Sequence, residues 1–121
     1  SSGNTISPEL EEIFMKRQEL SDKVAPLVEE RRRLAARWGE LHDRQDELSK
    51  PPWINVKGEK ELYRRVSEEK EYIQSKLERV NEQYEQIRSE YNEYFKKHYG
   101  ISLKQFFVNH GHAYVEWENN Q

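Results

Sequence analysis

Residues 10–48 read LEEIFMKRQELSDKVAPLVEERRRLAARWGELHDRQDEL, and their apolar residues return in alternating steps of three and four. Ile13, Leu20, Leu27, Leu34, Leu41 and Leu48 form one unbroken set over six heptads. Leu10, Arg17, Val24, Arg31, Trp38 and Gln45 form the alternate set. A repeat of about 3.5 residues held this long keeps one seam of an α-helix turned toward a partner helix, the condition for coiled-coil pairing. Ser7-Pro8-Glu9 opens the segment with a Ser N-cap and a Pro at the first helical position, where a missing N–H costs nothing. Pro26 interrupts the backbone ladder and predicts a kink. The heptads keep their phase across it, so one helix over 7–49 is expected.

A second ladder of matching length follows. Tyr63, Lys70, Leu77, Tyr84 and Tyr91 alternate with Val66, Ile73, Val80, Ile87 and Tyr94. This predicts a helix over 59–99, stopped by Gly100, with Lys96, Lys97 and His98 facing the negative end of its dipole. Between the ladders lies a connection over 50–58, in which Pro51-Pro52 ends the first helix. Each helix would be about 60 Å long. A parallel arrangement would need a return path of that length, so the pair must be an antiparallel hairpin. In the register that the connection allows, facing residue numbers add to 111. That sets Leu48 on Tyr63, Leu41 on Lys70, Trp38 on Ile73, Leu34 on Leu77, Leu27 on Tyr84, Val24 on Ile87, Leu20 on Tyr91 and Arg17 on Tyr94.

The apolar stripe is wider than this seam. Phe14, Val28, Ala35 and Phe95 lie beside it, and Tyr72 stands apart. A helix with a wide stripe has more than one neighbour. A second copy of the chain, giving a four-helix arrangement, is the expected source, with cover from the C-terminal tail as the alternative. Arg17, Arg31 and Lys70 on the seam read as long side chains that lay their stems on the seam and keep their charges wet. Gln45 reads as a device that fixes register.

The tail over 100–121, ISLKQFFVNHGHAYVEWENNQ after Gly100, is the richest aromatic segment. Ser102 and Gln105 fit a capping box, which allows a short helix over 103–109. The second half alternates, with Ala113, Val115 and Trp117 on one side and Tyr114 and Glu116 on the other, as a strand would. The expectation is therefore a β-hairpin turning at Asn109-His110-Gly111, or a helix followed by a strand. A two-stranded hairpin alone is marginal, so the tail should dock near Leu10, Ile13 and Phe14.

Composition narrows the function classes. Charged residues make up 36% of the chain against 34% hydrophobic, the balance of long solvated helices. With 20 basic and 23 acidic residues the net charge is −3, which offers no footprint for nucleic acid or an anionic membrane. The one basic run, Arg31 to Arg33, follows Glu29 and Glu30 and reads as a salt-bridged surface. The absence of cysteine excludes disulfides and thiolate sites and fits an intracellular protein, cytoplasmic or nuclear. Residues 1–6, beginning Ser-Ser-Gly without a Met, read as a cloning remnant and disordered leader on a fragment of a larger protein.

His110 and His112, with His98 and Glu116, suggest a metal set only if the tail is a strand, and nothing else supports it. No Gly-rich phosphate loop, nucleophile elbow or HExxH motif appears, and the many glutamates of the two helices fall mostly at outward positions as a solvated face, so neither catalysis nor a cofactor nor a small-molecule substrate is expected. The leading expectation is a non-enzymatic assembly module that homodimerises. Its seam is Ile13, Leu20, Leu27, Leu34, Trp38, Leu41, Leu48, Ile73, Leu77, Tyr84, Ile87 and Tyr91. The alternative is an adaptor that recognises another protein through Trp53 at the 51–56 tip, or through Phe106, Phe107, Tyr114 and Trp117 in the tail. Nucleic-acid binding ranks a distant third.

Overall fold

The computed structural model describes residues 6–51 and 57–121, and these form three helices with no strand among them. α1 spans Pro8–Leu48, α2 spans Lys57–Tyr99 and α3 spans Leu103–Asn119. The Ser7 hydroxyl caps α1 by accepting from the Leu10 N–H at 3.2 Å. Pro26 lies inside α1 and does not end it. The apolar residues of the connection, Trp53, Ile54 and Val56, expected from sequence either to fold back and cap the Leu48–Tyr63 layer or to form a binding tip, lie outside the described residues.

The chain divides into two units, one of residues 27–84 and one of residues 1–26 with 85–121. The first is a two-helix hairpin. Its core is Leu34, Leu41 and Leu48 from α1 against Val66, Ile73 and Val80 from α2, with Leu27, Trp38, Leu62 and Leu77 packed around them. Cross-helix hydrogen bonds report the register. The Gln45 amide donates to Ser67 Oγ at 2.9 Å, and Lys70 Nζ lies 2.8 Å from His42 Nδ1. Both pairs fall within one residue of the register summing to 111.

The polar seam positions of this hairpin are satisfied in place. The Gln45 carbonyl accepts from Lys70 Nζ at 2.8 Å, so both ends of its amide are used. Lys70 also stands 4.6 Å from the centre of the Trp38 ring, and the Arg31 guanidinium stands 5.1 Å from that of Tyr84. Each cation thus covers an aromatic face while remaining partly in water, a favourable cation–π placement. Arg32 bonds Glu29 on the same helix, so part of the basic run is a salt-bridged surface.

The second unit holds the ends of α1 and α2 together with α3. Phe14, Phe95 and Phe106, one ring from each helix, are its most deeply buried side chains. Across the α1–α2 contact the Tyr91 hydroxyl donates to Glu19 at 2.7 Å, and Lys16 lies 4.3 Å from the centre of the Tyr94 ring. These pairs too keep the expected register to within one residue. Burial, helped by the Glu19 carboxylate, pushes the Tyr91 phenol up to about 12. Lys16 and the Tyr91 hydroxyl in turn hold the Glu19 carboxyl below its ordinary value.

The tail corrects the sequence reading. It is neither a β-hairpin nor a helix followed by a strand, but one helix of 17 residues. The N-cap half of the capping box forms, with Ser102 Oγ accepting from the Gln105 N–H at 3.0 Å, while the Gln105 side chain donates forward to Asn109 Oδ1 at 2.7 Å. The helix then runs on through Asn109-His110-Gly111. Leu103, Phe106, His110, Tyr114 and Trp117 recur at helical spacing, and only a helix turns all five toward α1 and α2 together. The alternation from Ala113 to Trp117 is incidental to that stripe.

Candidate functional site

α3 is placed by its first turn. Gly100, at φ +73°, takes the left-handed conformation that ends α2, and its N–H donates to the Lys96 carbonyl at 3.1 Å. The Leu103 N–H then donates to Asn92 Oδ1 at 2.8 Å, which ties the start of α3 to the side of α2. Together these contacts fix the direction in which α3 leaves.

The inner face of α3 is occupied by packing. The Phe14 ring meets Phe106, Tyr114 and Trp117 at centroid distances of 5.8, 5.5 and 5.6 Å. Phe95 closes the cluster against Phe106 at 5.8 Å. The edge-to-face geometry of most of these pairs sets ring edges on ring faces, which strengthens the contact beyond burial alone. The Tyr114 hydroxyl lies within hydrogen-bond reach of Gln18 and Glu118, and burial raises its pKa. Tail cover therefore accounts for the surplus at Phe14 and Phe95.

The outer face is different. Val108 is 72% exposed, Val115 48% and Phe107 40%, and all three lie on α3. The Arg17 guanidinium, 4.8 Å from the centre of the Phe107 ring, borders this face. Lys104 stands exposed near its N-terminal end and Glu118 half-buried near its C-terminal end.

Of the tail residues singled out from sequence, Phe106 and Tyr114 are buried and serve the fold. Trp117 is half-buried against Phe14, and Phe107 alone is well exposed. Sequence reasoning passed over Val108 and assigned Val115 to a strand. The helical period sets Val108 and Val115 away from the Phe106–Tyr114 stripe, whereas Phe107 flanks that stripe, its ring 5.9 Å from that of Tyr114, and only the placement of α1 and α2 decides its exposure.

Among the described residues the histidines of the tail do not converge. His110 and His112 project from well-separated sides of a helix, as residues two apart do, so the strand arrangement that would align them is absent. His98 packs on the Tyr94 ring at 4.0 Å. Among the described residues no group of three metal-ligating side chains converges, and no helix is long and apolar enough to cross a membrane. The groove lined by Met15, Lys16, Glu19, Tyr94 and Tyr99 is open to solvent. No family model, curated protein or solved structure matches this chain.

Proposed function

We propose that this chain is a non-enzymatic protein-interaction and assembly module that associates with a second copy of itself through the outer face of α3. The observation that carries the reading is the apolar patch of Phe107, Val108 and Val115, left in water by a helix whose other face is already packed. Scattered exposed hydrophobics are ordinary, and Tyr63, Tyr72 and Val28 in the 27–84 unit are of that kind. Three on one short helix form a patch, and patches rimmed by polar groups mark contact surfaces. The seam residues hold the hairpin and take no part in chemistry.

The adaptor reading, in which a helix of a different protein takes this face, draws on the same patch. The test is sedimentation equilibrium on the whole chain and on a Val108→Glu, Val115→Glu variant. Both side chains point away from the core, so the variant should keep its helix content and unfolding transition while losing self-association. A variant that associates as strongly as the unaltered chain removes α3 from the contact. An unaltered chain that stays monomeric leaves only the adaptor reading.

A further inference from the structure

One side of α3 carries Lys104, Phe107, Gly111, Val115 and Glu118, in steps of three, four, four and three, with Lys104, Phe107 and Val115 exposed and Gly111 and Glu118 half-buried. The spacing is identical read from either end. The chemistry is mirrored as well: a charge, an apolar residue, a glycine, an apolar residue, and the opposite charge. We propose that two copies pair α3 against α3 antiparallel about a two-fold axis beside Gly111, each Lys104 meeting Glu118 of the partner subunit.

This rests on the self-association proposed above and specifies its geometry. In a two-fold contact residue i touches j while j touches i, so one stripe serves both partners only if it is its own complement when reversed. This stripe is. Phe107 would pack on the partner's Val115, with Val108 widening the apolar centre. A parallel pairing would instead bring lysine onto lysine and glutamate onto glutamate, so the two charges select orientation.

Gly111 fits the centre of such a contact. Glycine is a poor choice inside a helix, and α3 accepts one at this half-buried position. Without a Cβ the two backbones can approach closely at the axis. A Cβ there would also stand 3.3 Å from Phe107 Cδ1, so that ring would have to give by a few tenths of an ångström. Lys104 has no carboxylate within ion-pair distance among the described residues. Glu118 has one oxygen 3.2 Å from the Tyr114 hydroxyl, leaving its other oxygen for a partner.

The experiment is a charge exchange on the whole chain, read by sedimentation equilibrium at low and high salt. Lys104→Glu alone and Glu118→Lys alone each create two like-charge contacts across the axis and should weaken association several-fold. The double variant reverses both charges and should restore it, with the differences shrinking at high salt as the charges are screened. Glu118 also touches Tyr114, so thermal unfolding is followed in parallel, and Lys104→Glu, at an exposed site, carries the test if Glu118→Lys destabilises the fold. Association of equal strength in the unaltered chain and the Lys104→Glu variant overturns this geometry and leaves self-association standing. A monomer at every concentration overturns the reading beneath it.

Discussion

The ring of Phe14, near the start of α1, meets the ring of Tyr114 in α3 edge to face, with centroids 5.5 Å apart and planes at 74°. Phe14 is fully buried and also touches Phe106 and Trp117, so one side chain of α1 anchors much of the inner face of α3. The outward patch of α3 owes its presentation to this anchor. Truncating Phe14 to Ala should cost about 3–5 kcal/mol, the range for emptying a large aromatic from a core. It should also speed hydrogen exchange across 103–119. Unchanged exchange in α3 would mean that the helix is held by something other than this cluster.

The hairpin seam gives a second expectation. Leu41 is 4% exposed and lies in the α1–α2 core, whereas Tyr72 on α2 is 57% exposed. Leu41→Ala should lower the unfolding free energy by about 2–5 kcal/mol. Tyr72→Ala should move it by no more than about 0.5 kcal/mol, as a surface substitution does. Urea titrations followed by circular dichroism separate the two, and equal losses would contradict the seam assignment.

At the head of α3 the Ser102 hydroxyl satisfies the Gln105 N–H. Ser102→Ala removes that cap and should cost about 1 kcal/mol. The loss should show first as faster exchange of the amides in the opening turn of α3. A neutral outcome would indicate that the Leu103–Asn92 bond holds the turn by itself.

Alkaline pH should loosen the unit that contains Tyr91. Burial pushes Tyr91 and Tyr99 each up to about 12, whereas tyrosine in an unfolded chain ionises near 10. Between those values the native state keeps protons that the unfolded state has released, so stability falls as pH rises. The contribution is fully present below pH 10 and is lost on passing through 12. Tyr91→Phe should make the fall shallower, with Tyr99 supplying what remains. Stability profiles of the same slope from pH 9 to 12 would rule out this role for Tyr91.

The hairpin was legible in the sequence because its information is periodic and local. The ladders from Ile13 to Leu48 and from Tyr63 to Tyr94 specify a seam, and the short connection between them specifies direction. The tail was not legible in the same way. Its residues satisfy two periods at once, and Gly111 beside His110 and His112 imitates a turn. What decides is tertiary: Phe14 and Phe95 present apolar rings that need cover, and a helix with Phe106 and Tyr114 on one side supplies it. The surface was hidden for the same reason. Which of Phe106 and Phe107 is core and which is exposed depends on where α1 and α2 lie, and no window within α3 contains that fact.

The most direct measurement is the mass of the whole chain in solution, by light scattering over a wide range of concentration. Self-association through α3 predicts a rise from the 14.7 kDa chain mass toward twice that value, levelling there because a two-fold contact is closed. A mass that stays at that of one chain throughout, with α3 folded, would contradict the account.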